Sequence, residues 1–206
     1  MNQSNKFFAG LRYFSMWPLR WIDARYHHVL FRICKQYQYD SFNLYCIDPE
    51  EAAKFFEMTI QTLELLKKKD FRRYIRVKKY LPNIAYVKQG IDFYNYSAKA
   101  FYVDEFNPDP FGFASSIVHE MTHAYLMSKG FKYKIDPSRH ERICVQEQLR
   151  FARRIIHLRE NLSDCQKKEW IEEWEKWSEE CFKTKWWEEK QQRQQRIKRL
   201  KILFKN

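Results

Sequence analysis

Tight turns are scarce in this chain, because only four glycines and six prolines occur among its 206 residues. Glycine and proline mark most of the sharp turns that join short strands, so the composition argues against a turn-rich sandwich made only of strands. Hydrophobic residues make up 45% of the chain and aromatic residues 18%. That supply of apolar side chains is enough for a sizeable core, which excludes the disordered and low-complexity classes.

Helices are predicted on both sides of the middle of the chain. Apolar residues recur at helical spacing over residues 18–38, and a second helix of about twenty residues follows Asp48-Pro49. Asp109-Pro110 and Asp136-Pro137 each combine an N-cap residue with a proline at the first helical position. They predict one helix from residue 110 to Gly130 and another from 137 to about 160. Ser163 and Gln166 form a capping box that opens a last helix.

The segment between these helices is rich in Tyr, Val, Ile and Phe and is predicted to form strands near residues 73–79, 84–88, 91–96 and 100–105. Helices, a small antiparallel or mixed sheet and further helices make an α+β fold. The length fits a single domain over residues 1–206. Its core is expected at about residues 40–160, with an N-terminal helix over 18–38 and a C-terminal helix and basic tail over 163–206.

One motif on the predicted helix from Pro110 carries chemistry. It reads His119-Glu120-Met121-Thr122-His123, which is the HExxH pattern. Histidines four positions apart project from the same helix face, so both imidazoles can reach one metal ion at about 2.0–2.1 Å. Glu120 then lies beside the metal, where its carboxylate can take a proton from water. Nitrogen and oxygen ligands in this arrangement favour Zn²⁺, one ion per chain.

A catalytic zinc site needs a third protein ligand and one open position. The next predicted helix offers three candidates, Glu141, Glu147 and His140. An oxyanion formed during hydrolysis needs a further donor, for which His140, Tyr125 and Tyr133 are candidates. Groups that orient the imidazoles are also expected, and Asp104, Glu105 and Thr122 are available for this.

The HExxH motif followed by a glutamate on a second helix resembles the gluzincin class of zinc peptidases, the thermolysin-like pattern in its minimal form. Metzincins do not fit, because Leu126 and Lys129 occupy their glycine and histidine positions. The resemblance covers roughly residues 71–158. It implies Glu141 as the third ligand, Glu120 as the general base and hydrolysis of peptide bonds in a peptide or protein substrate. It also implies that the strand at 100–105 binds extended substrate by edge pairing.

Two other interpretations of the function remain open. SprT-like metalloproteases associated with DNA use a third histidine, a role that His140 would take here. Alternatively, a metalloprotease fold acts as a binding module through its basic C-terminal helix. The net charge is +12, and residues 183–206 contain nine Lys or Arg against two Glu. That tail is a candidate contact for an anionic partner, either a nucleic acid or a membrane surface.

The five cysteines include no CxxC pair, and their number is odd. A disulfide framework is therefore not expected. The sequence also shows neither a signal peptide nor an uncharged apolar run of about 18 residues. These features predict a cytoplasmic location.

Overall fold

A computed structural model describes residues 27, 29–88, 93–104, 109–133 and 135–183. The chain divides into two compact units, Met1–Lys132 and Tyr133–Asn206. Residues 18–26 and 28 of the predicted N-terminal helix, part of the predicted strand at 91–96, Glu105 and the basic tail beyond residue 183 lie outside the described residues. Helices and a five-stranded mixed sheet confirm the α+β class.

The first unit contains all five strands, which are β1 (Lys35–Tyr39), β2 (Phe42–Cys46), β3 (Asn83–Tyr86), β4 (Phe93–Asn95) and β5 (Ala100–Val103). Their order in the sheet is β1-β2-β3-β5-β4. The pairs β2–β3 and β3–β5 are parallel, whereas the outer pairs β1–β2 and β4–β5 are antiparallel. Every residue of β5 is buried, as expected for an interior strand with neighbours on both sides.

Three helices complete this unit, namely α1 (Ala52–Lys69), α2 (Phe71–Tyr80) and α3 (Pro110–Ser128). All three pack against one another. Phe55 of α1, Phe101 of β5 and Phe113 of α3 are almost fully buried and join two of these helices to the sheet. The helix that carries HExxH is therefore anchored by an aromatic core.

The predicted strand at 73–79 is wrong, because these residues belong to α2. Asp70 caps this helix by accepting a hydrogen bond from the backbone N–H of Arg73 at 3.3 Å. Tyr74 and Val77 are buried three positions apart, which is a helical and not a strand spacing. The segment is rich in β-formers, but an N-cap and one apolar helix face decide its conformation.

The predicted helix over 18–38 is also wrong in its last part. Its described portion is helical at residues 27 and 29–33, and Lys35–Tyr39 then forms β1. Asp40, with a φ of 51°, and Ser41 connect β1 to β2 in an antiparallel hairpin. Ile33 and Tyr37, which supported the helical pattern, are 68% and 48% exposed, so their spacing does not reflect a buried helix face.

The second unit contains α4 (Pro137–Ile155), a 3₁₀ turn (Ile156–Leu158) and α5 (Asp164–Lys183). Asp136 caps α4 by accepting from the Arg139 backbone N–H at 3.0 Å. The predicted capping box of α5 is present, since Ser163 and Gln166 bond each other's backbone N–H at 2.9 and 3.3 Å. Arg153 of α4 and Glu175 of α5 form an ion pair between the two helices.

Among the helices that the structure describes, none combines the length and apolarity needed to cross a membrane.

Candidate metal centre

Helix α3 begins where its cap signal predicts and thereby places the HExxH residues. The Asp109 carboxylate accepts from the backbone N–H groups of Phe111 and Gly112 at 3.3 and 3.0 Å. The helix ends at Ser128, and Gly130 follows in a left-handed conformation with a φ of 83°. Both ends agree with the sequence analysis. His119 and His123 consequently lie one turn apart on the same helix face.

The two imidazoles converge on one point. Their Nε2 atoms are 3.1 Å apart, and the ring centroids are 4.9 Å apart with an interplanar angle of 65°. His123 is buried and His119 is partly buried. Two nitrogens bound to one tetrahedral ion at 2.0–2.1 Å would be about 3.3 Å apart. The observed spacing therefore fits a shared metal ion, although it also fits a proton shared between the rings.

Glu120 lies on α3 beside this histidine pair in sequence. Its side chain is 7% exposed. Within the described part of the chain, its carboxylate forms no hydrogen bond or ion pair.

Two other candidates on α3 make different contacts. The Thr122 hydroxyl donates to the carbonyl of Val118 at 2.7 Å, which engages its proton within the helix. Tyr125 packs its ring against Tyr80 at 5.5 Å and lies about 200° around the helix from His123. The structure therefore does not bring the Tyr125 hydroxyl to the histidine pair.

The second unit brings together three predicted site residues. The Tyr133 hydroxyl donates to Oε1 of Glu141 at 3.2 Å, and the Tyr133 ring lies 5.4 Å from that of His140. Glu141 and His140 are 5% and 2% exposed. Glu147, the alternative ligand, lies nearly two turns further along α4 than Glu141 and pairs with Arg150 at 3.6 Å.

Cys144 is a potential ligand that the sequence analysis did not consider. It is fully buried and follows Glu141 by three positions, so both lie on neighbouring parts of one face of α4. Thiolate sulfur is a strong zinc ligand. The sequence signal for Cys144 as a potential ligand is its spacing of three residues from Glu141 on one helix. A search for pairs of cysteines does not detect this spacing.

The strand at 100–105 was expected to bind substrate along a sheet edge, and this expectation is wrong. β5 lies between β3 and β4, so both of its edges are paired. Among the described strands, β4 and β1 are the outermost. Asp104 follows β5 directly and is partly buried.

Comparison of the chain with protein-family models, with curated proteins and with solved structures found no match.

Proposed function

We propose that the protein is a zinc-dependent metallopeptidase that hydrolyses peptide bonds. The observation that carries this proposal is the convergence of the His119 and His123 Nε2 atoms at 3.1 Å, with Glu120, whose side chain is 7% exposed, at the position after His119 on the same helix. An isolated pair of histidines on a helix does not require a buried acid at the intervening position. The HExxH pattern requires an acid at this position, because its glutamate transfers protons to and from groups at the metal.

The proposed ligands are His119, His123 and Glu141, with the choice of Glu141 resting on the gluzincin resemblance. The Tyr133 hydroxyl supports this choice, since its hydrogen bond to Oε1 fixes the orientation of the carboxylate. Outer groups of this kind commonly hold metal ligands in place. A zinc ion bound by these residues would polarise a substrate carbonyl and lower the pKa of water.

Glu120 is proposed as the general base and, later, as the general acid. Its carboxylate accepts a proton from water and then donates it to the leaving amine. In the described part of the chain the Glu120 carboxylate makes no hydrogen bond or ion pair that would compete with proton transfer. His140, whose ring lies beside that of Tyr133 in the second unit, is the proposed donor to the oxyanion, because the Tyr133 hydroxyl proton is already engaged with Glu141.

An extended substrate is proposed to pair with β4. This strand is antiparallel to β5 and is outermost among the described strands. Backbone pairing at an exposed edge binds peptides with little dependence on their side chains. The substrate would then be an extended segment of a peptide or an unfolded protein.

The variant Glu120→Gln tests the proposed base, with a fluorogenic casein as the substrate. Glutamine keeps the size of the side chain but cannot accept the proton, so hydrolysis should fall by a factor of about 10²–10⁴. The zinc content should remain that of the unsubstituted protein, because Glu120 is not a ligand. Glu57→Gln is the matched control, since Glu57 is an exposed glutamate on α1. Full activity of Glu120→Gln, or equal losses in both variants, would refute the mechanism.

A further inference from the structure

A strongly basic surface covers the end of α1 and all of α2 except its last residue, Tyr80. Residues 67–79, called here the 67–79 surface, contain eight basic residues and one acidic residue. The basic residues are Lys67, Lys68, Lys69, Arg72, Arg73, Arg76, Lys78 and Lys79. The single acidic residue is Asp70, which is buried and paired with Arg73. The segment therefore carries a large positive charge that it does not neutralise itself.

Neighbouring acidic groups neutralise only part of this charge. Lys78 pairs with Asp40 at 3.0 Å, and Glu64 lies 3.6–3.8 Å from Lys67 and Lys68. The other four basic residues form no ion pair with an acid in the described part of the chain: Lys69, Arg72, Arg76 and Lys79. All four are exposed. A cluster of unpaired cations attracts anionic partners.

The outward face of α2 also exposes large apolar side chains. Phe71 and Ile75 are 59% and 45% exposed, whereas Tyr74 and Val77 on the opposite side are buried. At about 100° per residue, Phe71 and Ile75 lie on one half of the outward face. The other half of the outward face carries three cations, Lys79, Arg72 and Arg76. Together with Phe71 and Ile75 they lie within an arc of about 140° around the helix axis, measured from Phe71.

We propose that the 67–79 surface binds an anionic lipid membrane. Clusters of four to eight Lys or Arg next to apolar side chains are typical of helices that lie on negatively charged bilayers. The lysines and arginines would approach the lipid headgroups, and Phe71 and Ile75 would enter the acyl boundary. The exposed isoleucine distinguishes this partner from a nucleic acid, which would need only cations and stacking rings. This proposal does not depend on the peptidase activity.

Vesicle flotation with the full chain tests the proposal. The vesicles contain phosphatidylcholine alone or phosphatidylcholine with 30% phosphatidylserine. The variant Arg72→Gln/Arg76→Gln/Lys79→Gln should partition to the anionic vesicles about a hundredfold less, since each cation near the surface contributes about a factor of five. The matched control is Lys54→Gln/Lys168→Gln/Lys176→Gln, which removes three exposed lysines elsewhere and should bind as the unsubstituted protein does.

A second variant separates lipid insertion from charge attraction. Phe71→Ser/Ile75→Ser keeps every charge and should lower partitioning about tenfold, because the apolar contribution scales with buried area. Both positions are exposed, so far-UV circular dichroism should show an intact fold. Unchanged binding by either variant would overturn the proposal. Loss of duplex DNA or RNA binding in the charge variant, with vesicle binding retained, would overturn it in favour of a nucleic acid.

Discussion

The aromatic cluster that anchors α3 can be tested by truncating Phe113. This side chain is 1% exposed, and its ring centroid lies 6.4 Å from that of Phe55 and 6.1 Å from that of Phe101. Phe113→Ala would leave a cavity at the meeting point of α1, α3 and β5. Since Phe113 lies on the same helix as the histidine pair, its loss should loosen the element that positions the candidate metal centre.

The size of the effect follows from core truncations in general. Removal of a buried phenylalanine costs about 3–5 kcal/mol, which includes the loss of aromatic contacts and the cavity. Phe113→Leu retains most of the volume and should cost about 1.5 kcal/mol or less. At about 1.4 kcal/mol per factor of ten, Phe113→Ala should increase the opening equilibrium of α3 by roughly 10²- to 10⁴-fold.

Hydrogen exchange of the α3 peptide, measured by mass spectrometry, reports this equilibrium directly. The amides of residues 110–128 should exchange about 10²- to 10⁴-fold faster in Phe113→Ala. Phe131→Ala is the matched control, because the Phe131 side chain is 46% exposed and its truncation should change the rates by less than about threefold. Equal rates in Phe113→Ala and Phe131→Ala would refute the anchoring role of the cluster.

Two further predictions concern charge and thiol chemistry. Hydrogen bonds from the Tyr74 hydroxyl and then from the Lys78 ammonium hold the pKa of Asp40 below its usual value. The ionised carboxylate therefore stabilises the fold at pH values above the unfolded-state pKa. This stabilisation is lost as the pH falls through the folded-state pKa. Asp40→Asn should therefore lower the midpoint of urea unfolding at pH 7 and change that midpoint little well below pH 4. An equal effect of the substitution at both pH values would contradict the stabilising role of the Asp40 carboxylate. Burial raises the pKa of Cys34 to about 11, and Cys46 and Cys144 are also buried, whereas Cys165 is exposed. A maleimide at pH 7 should modify Cys165 before the other three in peptide mass spectra, and early labelling of Cys144 would show that α4 is not packed as described.

Local signals in the sequence predicted the boundaries of the helices that matter most for the site. Asp109-Pro110, Asp136-Pro137 and the Ser163–Gln166 box act through bonds between residues two or three positions apart. Such contacts depend little on the rest of the fold, which explains why they could be read from the sequence. The histidine pair is local in the same way, because one helical turn brings Nε2 to Nε2.

Elements that depend on distant partners were predicted less well. β1 and β2 form a hairpin, and β2 also pairs with β3, which begins 37 residues after the end of β2 (Cys46 to Asn83). Alternation of buried and less buried residues along Phe42–Cys46 is a strand signal that the helical reading of the preceding segment obscured. The order of β5 and β4 in the sheet depends on pairing over the whole sheet, so the sequence could not show that β5 is interior.

The third ligand is the part of the candidate site that sequence spacing describes least well. Glu141 and Cys144 are both buried on one side of α4, and the motif resemblance alone favours the glutamate. Tyr133 lies eight positions before Glu141 in sequence, yet its hydroxyl reaches the carboxylate. A contact of that kind depends on how the loop before α4 folds, which no helical or strand period encodes.

The metal content of the purified protein tests the central proposal most directly. After loading with zinc and dialysis, elemental mass spectrometry should find about one zinc per chain. His123→Ala should lose this zinc, whereas the matched control His157→Ala, at an exposed histidine outside the motif, should retain it. Absence of stoichiometric zinc from the unsubstituted protein, or its retention in His123→Ala, would contradict a metal centre at HExxH.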